Sequence, residues 1–148
     1  AKALDYAHRQ GVIHRDIKPS NILLTKDMDV KIADFSIAHI NRADMSQTMP
    51  MGFVGSPRYM SPEQIQEDTI SGQTDLFSLG IIAYEMLCGE RPFDAENKVI
   101  VMRMHVTADV PPMAEKAPNV KVPAEVEALV LRCLEKEPEK RFHDAREL

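Results

Sequence analysis

Asp16, Lys18 and Asn21 fall within one short polar run, His14-Arg15-Asp16-Ile17-Lys18-Pro19-Ser20-Asn21, and Asp34 follows thirteen residues after Asn21. A carboxylate set apart from a metal can orient a hydroxyl. An ammonium two positions on adds a compact positive charge beside it. Asn21 and Asp34 contribute oxygen donors, the ligands a hard cation such as Mg²⁺ prefers. Asp16 has an unperturbed pKa near 4 and is a weak base for a free hydroxyl, so orienting one suits it better than ionising it.

Such chemistry needs elements that bring the four side chains together. The apolar run Ile22-Leu23-Leu24 reads as a short strand that anchors the loop before it. Val30-Lys31-Ile32-Ala33 reads as a second strand, joined to the first by the polar turn Lys26-Asp27-Met28-Asp29. Paired strands would let Asn21 and Asp34 point at one cation.

The spacing of the first run meets the pattern H-R-D-x-x-x-x-N, and Asp34-Phe35-Ser36 stands where D-F-G is expected. In both, the chain resembles the protein kinases. Further matches follow in order: Gly55-Ser56-Pro57-Arg58-Tyr59-Met60-Ser61-Pro62-Glu63 resembles the substrate-docking loop, with Ser61 for the usual alanine. The run from Asp75 to Phe93 resembles the central helix of the large kinase lobe, with Phe77 for the usual tryptophan, and Arg141-Phe142 matches a near-terminal arginine.

The resemblance implies that Asp16 is the catalytic base and that Lys18 contacts the transferring phosphate. It implies Asn21 and Asp34 as Mg²⁺ ligands, with Lys18, Asn21 and Asp34 forming the contacts to ATP. The pair Lys18-Pro19 resembles the serine/threonine class, in which a hydroxyl at the Ser56 position bridges Asp16 and Lys18. Ser56, Pro57, Arg58 and Tyr59 would seat a polypeptide substrate. His14 would brace the loop against Phe35. Glu63 and Arg141 would form a buried ion pair, and Asp75 would bond backbone amides of the catalytic loop. Arg15 before the aspartate implies switching by phosphorylation, for which Ser46 and Thr48 are placed by position. Serine at position 36 narrows the backbone freedom that glycine would allow, without removing the ligand at Asp34.

Composition agrees with an ordinary enclosed core: 148 residues, 44% apolar, 18 basic against 23 acidic side chains and a net charge of −5. Without a basic block, nucleic-acid binding is not expected. The most apolar stretch, Leu76 to Leu87, carries Ser78 and Glu85 and is too short to cross a bilayer, so no membrane contact is expected from this segment. Cys88 and Cys133 sit in helical apolar patterns and read as buried thiols, consistent with cytoplasmic localisation.

Elsewhere, Ala1 to Gln10 reads as the end of a helix stopped by Gly11, and Asp34 to Glu63 as a long loop. Thr74 to Cys88 reads as a central helix capped by Thr74 and stopped by Gly89. A helix from Ala95 to about Val106 precedes a proline-spaced connection over 110–122. Pro123 opens a helix with Val126, Leu129, Val130, Cys133 and Leu134 facing the core, and Asp144 to Leu148 reads as a last helix cut short.

The expected class is α+β and mainly α-helical: residues 1–148 as the C-terminal lobe of the protein kinase fold, a β-hairpin carrying its catalytic and metal-binding loops. The Gly-rich loop and strand lysine of the N-terminal lobe are not in this segment and would be supplied upstream. The activity implied is ATP- and Mg²⁺-dependent phosphorylation of serine or threonine in a protein substrate, in the manner of bacterial kinases of eukaryotic type. A non-catalytic docking or regulatory module of the same fold is the alternative. A small-molecule kinase is disfavoured by the polypeptide-docking loop.

Overall fold

The structure of the chain, a computed structural model, describes residues 1–35 and 56–148. Ser36, Ser46, Thr48 and Gly55 lie outside the described residues. In chain order the elements are α1 (Lys2–Arg9), β1 (Ile22–Leu24), β2 (Val30–Ile32), α2 (Pro62–Ile65), α3 (Gly72–Cys88), α4 (Lys98–Thr107), α5 (Met113–Lys116) and α6 (Ala124–Cys133). The described chain is therefore mainly helical, with a two-stranded antiparallel sheet.

The longest apolar run makes the longest helix, and it divides the core. One side of α3 places Leu76 and Ile82 with Leu4, Ile17, Cys133, Phe142 and Ala145. The other places Phe77, Ile81 and Tyr84 with Phe93, Met113, Val130 and Leu134. A helix apolar on most faces has no stable place except between two such layers. Its start differs from the sequence expectation. Ser71, not Thr74, is the N-cap, and Thr74 closes a capping box from the third helical position. A serine with free extended backbone outcompetes a threonine already inside the first turn, and the helix gains Gly72 and Gln73. The stop is as read: Gly89 takes a left-handed conformation, φ 76°.

Gly80 sets how closely α3 and α6 approach. A Cβ built there would lie 2.7 Å from Cys133 Cβ and 3.0 Å from Leu134 Cδ2. Helix propensity alone would favour alanine by about 1 kcal/mol. Overpacking against a Cβ that cannot swing aside costs about 1–3 kcal/mol and should win. Gly80→Ala is therefore expected to lower the melting temperature; an unchanged or raised midpoint in thermal denaturation would show that the two helices separate freely.

Three sequence expectations are corrected. Leu129 is 42% exposed, because the inward stripe of α6 runs through Val130 and Cys133 and leaves Leu129 at its margin. The connection over 110–122 contains α5, pinned by buried Met113. Residues 144–148 form a turn rather than a helix, with the Arg146 amide bonded to Asp144 Oδ1; so few residues do not repay helix nucleation. Of the two thiols, Cys133 is buried and Cys88 half-buried, and burial pushes both upward in pKa, Cys133 to about 11.

Glu63, near the start of α2, meets Arg141 through two 2.8 Å hydrogen bonds in the interior. Both groups make further hydrogen bonds. Arg141 also donates to the carbonyls of Gln73, Glu135 and Lys136, and Glu63 Oε1 accepts from the Thr74 hydroxyl at 2.8 Å. Burial pushes the Glu63 carboxyl upward in pKa. The Arg141 hydrogen bond and charge, with help from backbone and Thr74, more than offset that and hold it below its ordinary value.

Candidate active site

The two short strands pair Ile22 with Ile32, Leu23 with Lys31 and Leu24 with Val30. The ladder runs one step further, since the Ala33 amide donates to the Asn21 carbonyl at 2.8 Å. This register brings Asn21 opposite Ala33 and hence beside Asp34. The tight turn at 25–29 is closed by Thr25, whose amide donates to the Asp29 carbonyl and whose hydroxyl accepts from the Asp29 amide.

Before the strand, Pro19–Asn21 forms a single 3-10 turn that folds Asn21 back over Asp16. The Asn21 amide group donates to the Asp16 carbonyl at 2.9 Å and lies 3.4 Å from Asp16 Oδ2. Lys18 Nζ sits 2.5 Å from the same Oδ2. Asp16, Lys18 and Asn21 are thus in mutual contact, and among the described residues Asp16 Oδ1 has no hydrogen-bond partner. The Ser56 hydroxyl makes no hydrogen bond to Asp16 or Lys18 among the described residues; those two pair directly instead.

The donor set fits a hard cation. With its N–H group committed to the Asp16 carbonyl, Asn21 keeps Oδ1 as its coordinating atom, and Asp34 adds an exposed carboxylate. No cluster of three or more His, Cys, Asp or Glu side chains is placed to hold a metal among the described residues. A cation here would need substrate oxygens and water to complete its shell, which is how Mg²⁺ is commonly held.

The loop is fixed from below by α3. Asp75, fully buried, accepts from the His14 amide at 2.9 Å, the Arg15 amide at 2.8 Å and His8 Nε2 at 2.8 Å. His14 has both ring nitrogens engaged: Nε2 donates to the Ala33 carbonyl at 2.9 Å, and Nδ1 accepts from the Asp16 amide at 3.3 Å. Its ring lies 4.6 Å from that of Phe35. An imidazole so occupied ties the loop to β2 and has no nitrogen left for proton exchange with a substrate.

Arg15 and Asp34 both carry left-handed backbone, φ 68° and 60°. Aspartate tolerates this region better than most side chains; arginine is held there by its surroundings. Asp75 takes the Arg15 amide and Gln64 Nε2 donates to the Arg15 carbonyl at 2.7 Å. Gln64 was not among the residues singled out from sequence. Its signal was present: Ser61-Pro62-Glu63-Gln64 spells a capping box, and Ser61 caps α2 with Gln64 bonding back to the Ser61 amide.

Residues 56–60 lie along the top of α3. The Tyr59 carbonyl accepts from the Ser78 hydroxyl at 2.7 Å, and its hydroxyl donates to Glu85 at 2.8 Å. Burial and that hydrogen bond raise the Tyr59 pKa, with Arg91 opposing. Arg91 pairs with both Glu85 and Asp94, and Arg58 approaches Asp94 at 3.8 Å. Pro57 is buried and Arg58 exposed.

Residues 1–148 match the protein kinase domain family over their full length. The chain is 42% identical over 149 residues to a probable serine/threonine-protein kinase of Clostridium acetobutylicum, covering all of this chain and 22% of that protein. It is 38% identical to serine/threonine-protein kinase PknB of Mycobacterium tuberculosis, covering 99% of this chain and 23% of that protein. A probable serine/threonine-protein kinase of Streptomyces coelicolor is 36% identical, again over 99% of this chain and 22% of its own length. The chain spans less than a quarter of the length of each of these relatives.

Proposed function

Since the chain belongs to the protein kinase domain family, we propose that it is the larger, helical lobe of a serine/threonine protein kinase. The full-length protein would transfer the γ-phosphoryl group of ATP to serine or threonine hydroxyls of a protein substrate, with the nucleotide-covering lobe supplied upstream. The observation that carries this reading is the contact of Asp16, Lys18 and Asn21, with Asp34 at the adjoining end of the ladder.

Asp16 Oδ1 accepts the hydrogen of the substrate hydroxyl and keeps the oxygen lone pair directed at phosphorus. As the new O–P bond forms and the bond to the departing diphosphate oxygen breaks, the proton passes to Asp16. Lys18 holds its ammonium beside that carboxylate, where charge on the moving phosphoryl group would gather. Asn21 Oδ1 and Asp34 would hold Mg²⁺, which supplies charge neutralisation on the terminal phosphates when bound. Residues 56–59 seat the polypeptide, held in place by Ser78 and Glu85 on α3. Arg15, one residue before the base, is the position we assign to phosphate-dependent switching.

No helix among the described residues is long and apolar enough to cross a membrane. We place this segment in the cytoplasm, where its nucleotide substrate is.

The test is transfer of label from γ-labelled ATP with Mg²⁺ to a generic protein substrate by the full-length protein, read out as phosphoserine and phosphothreonine. Label on those residues is expected from the full-length protein, and none from the isolated 148-residue chain, which has no strand lysine or Gly-rich loop to hold the nucleotide. No transfer by the full-length protein would overturn the enzymatic reading and leave a docking module.

A further inference from the structure

His105 stands in the last turn of α4 and is fully buried. Its Nδ1 lies 2.6 Å from the Met60 carbonyl. A carbonyl only accepts, so Nδ1 carries the proton and Nε2 is left with a lone pair. That Nε2 is buried and has no hydrogen-bond partner among the described residues. The ring is flanked by Phe77 at 5.7 Å and Phe93 at 5.4 Å. An apolar ring would fill this slot without stranding an acceptor, so packing alone does not account for an imidazole here.

The same corner is fastened from behind. Lys136 Nζ donates to the carbonyls of His105 and Met104 at 2.9 and 3.4 Å, closing the end of α4, and lies 4.2 Å over the Phe93 ring. The Lys136 carbonyl in turn accepts from Arg141, which is bonded to Glu63 of α2. Met60 is the link between Tyr59 and the Ser61 cap of α2. The His105 bond therefore ties residues 56–60 to α4, beside the ties that Ser78 and Glu85 make from α3. Burial, with the Lys136 charge adding to it, brings the His105 pKa down to about 4, so near neutrality the ring remains a neutral single donor.

We infer that His105 is a positioning residue for the polypeptide-docking segment: its Nδ1–H fixes the Met60 carbonyl and thereby sets the affinity for the peptide substrate. This rests on the reading of residues 56–59 as the docking surface. His105 touches no reacting atom.

The test compares His105→Phe, which keeps a ring and loses the donor, with His105→Asn, which restores a donor close to the Nδ1 position, both in the full-length protein. For His105→Phe, the KM for a peptide substrate is expected to rise roughly 5–10-fold, the effect of one hydrogen bond, while the KM for ATP stays put. Amide hydrogen exchange should accelerate across 56–61 and not across α6. His105→Asn should recover part of both effects. Unaltered peptide KM and unaltered exchange over 56–61 in His105→Phe would overturn the inference, as would exchange accelerated equally in α6. If the wild-type protein transfers no phosphate, the kinase reading fails separately. Exchange over 56–61 then decides the role of His105 alone: local acceleration supports it, and none rejects it.

Discussion

Asp16→Asn in the full-length protein is expected to lower kcat about 10²–10⁴-fold, the range for loss of a positioned proton acceptor. The amide is nearly isosteric, and the backbone bonds of residue 16, its amide to His14 and its carbonyl to Asn21, do not depend on the carboxylate. Folding should therefore be unaffected, and the KM for ATP should change little. What is lost is the negative oxygen. An amide in its place offers Lys18 a weaker partner and leaves the substrate hydroxyl without a charged acceptor. Retention of more than about a third of wild-type kcat would remove Asp16 from the base role. His14 is not a substitute candidate, since both its nitrogens are spent on the loop and β2.

Arg141→Ala is expected to cost about 3–5 kcal/mol, because it strands the Glu63 carboxylate in the interior. It also removes the donor from three backbone carbonyls. For a domain of this size such a loss lowers the melting temperature by roughly 10 °C or more. Adding Glu63→Gln to Arg141→Ala should recover part of the loss, since no buried charge then remains; a double variant as unstable as the single would point to lost packing instead.

Acid should weaken the fold in two steps, with the sign set by depressed folded-state pKa values. His105 titrates near 6.5 when unfolded and about 4 when folded. The unfolded chain therefore binds its proton first, and about 3 kcal/mol is lost as pH falls from 6.5 to 4. Glu63 adds stability that is complete above its ordinary value of 4.5 and is lost as pH falls through its lower folded value. A urea midpoint that is flat between pH 6.5 and 4 would contradict the buried neutral histidine.

Much of this was legible before any coordinates. Asp16, Lys18 and Asn21 are close in sequence, so a single turn brings them together, and the two apolar runs read as paired strands set Asp34 next to Asn21. Asp75 and Arg141 were readable only through the family pattern, since nothing local tells a helix-start aspartate that its partners lie sixty residues upstream. His8, Gln64 and His105 were missed for a related reason. Each is a polar residue whose partner is a carbonyl or carboxylate on another element, and no periodicity records that. Leu129 failed in the other direction: apolar spacing admits two adjacent stripes on α6, and only packing against Gly80 selects one.

One buried carboxylate, Asp75, serves at once as part of the buried centre and as the seat of the loop to which we assign the chemistry. The loop cannot slacken without disturbing the innermost helix, and that helix cannot fray without releasing the loop. On the proposed function, phosphotransfer by the full-length protein and the thermal transition of this interior are therefore expected to share one midpoint, without a gradual loss of activity below it.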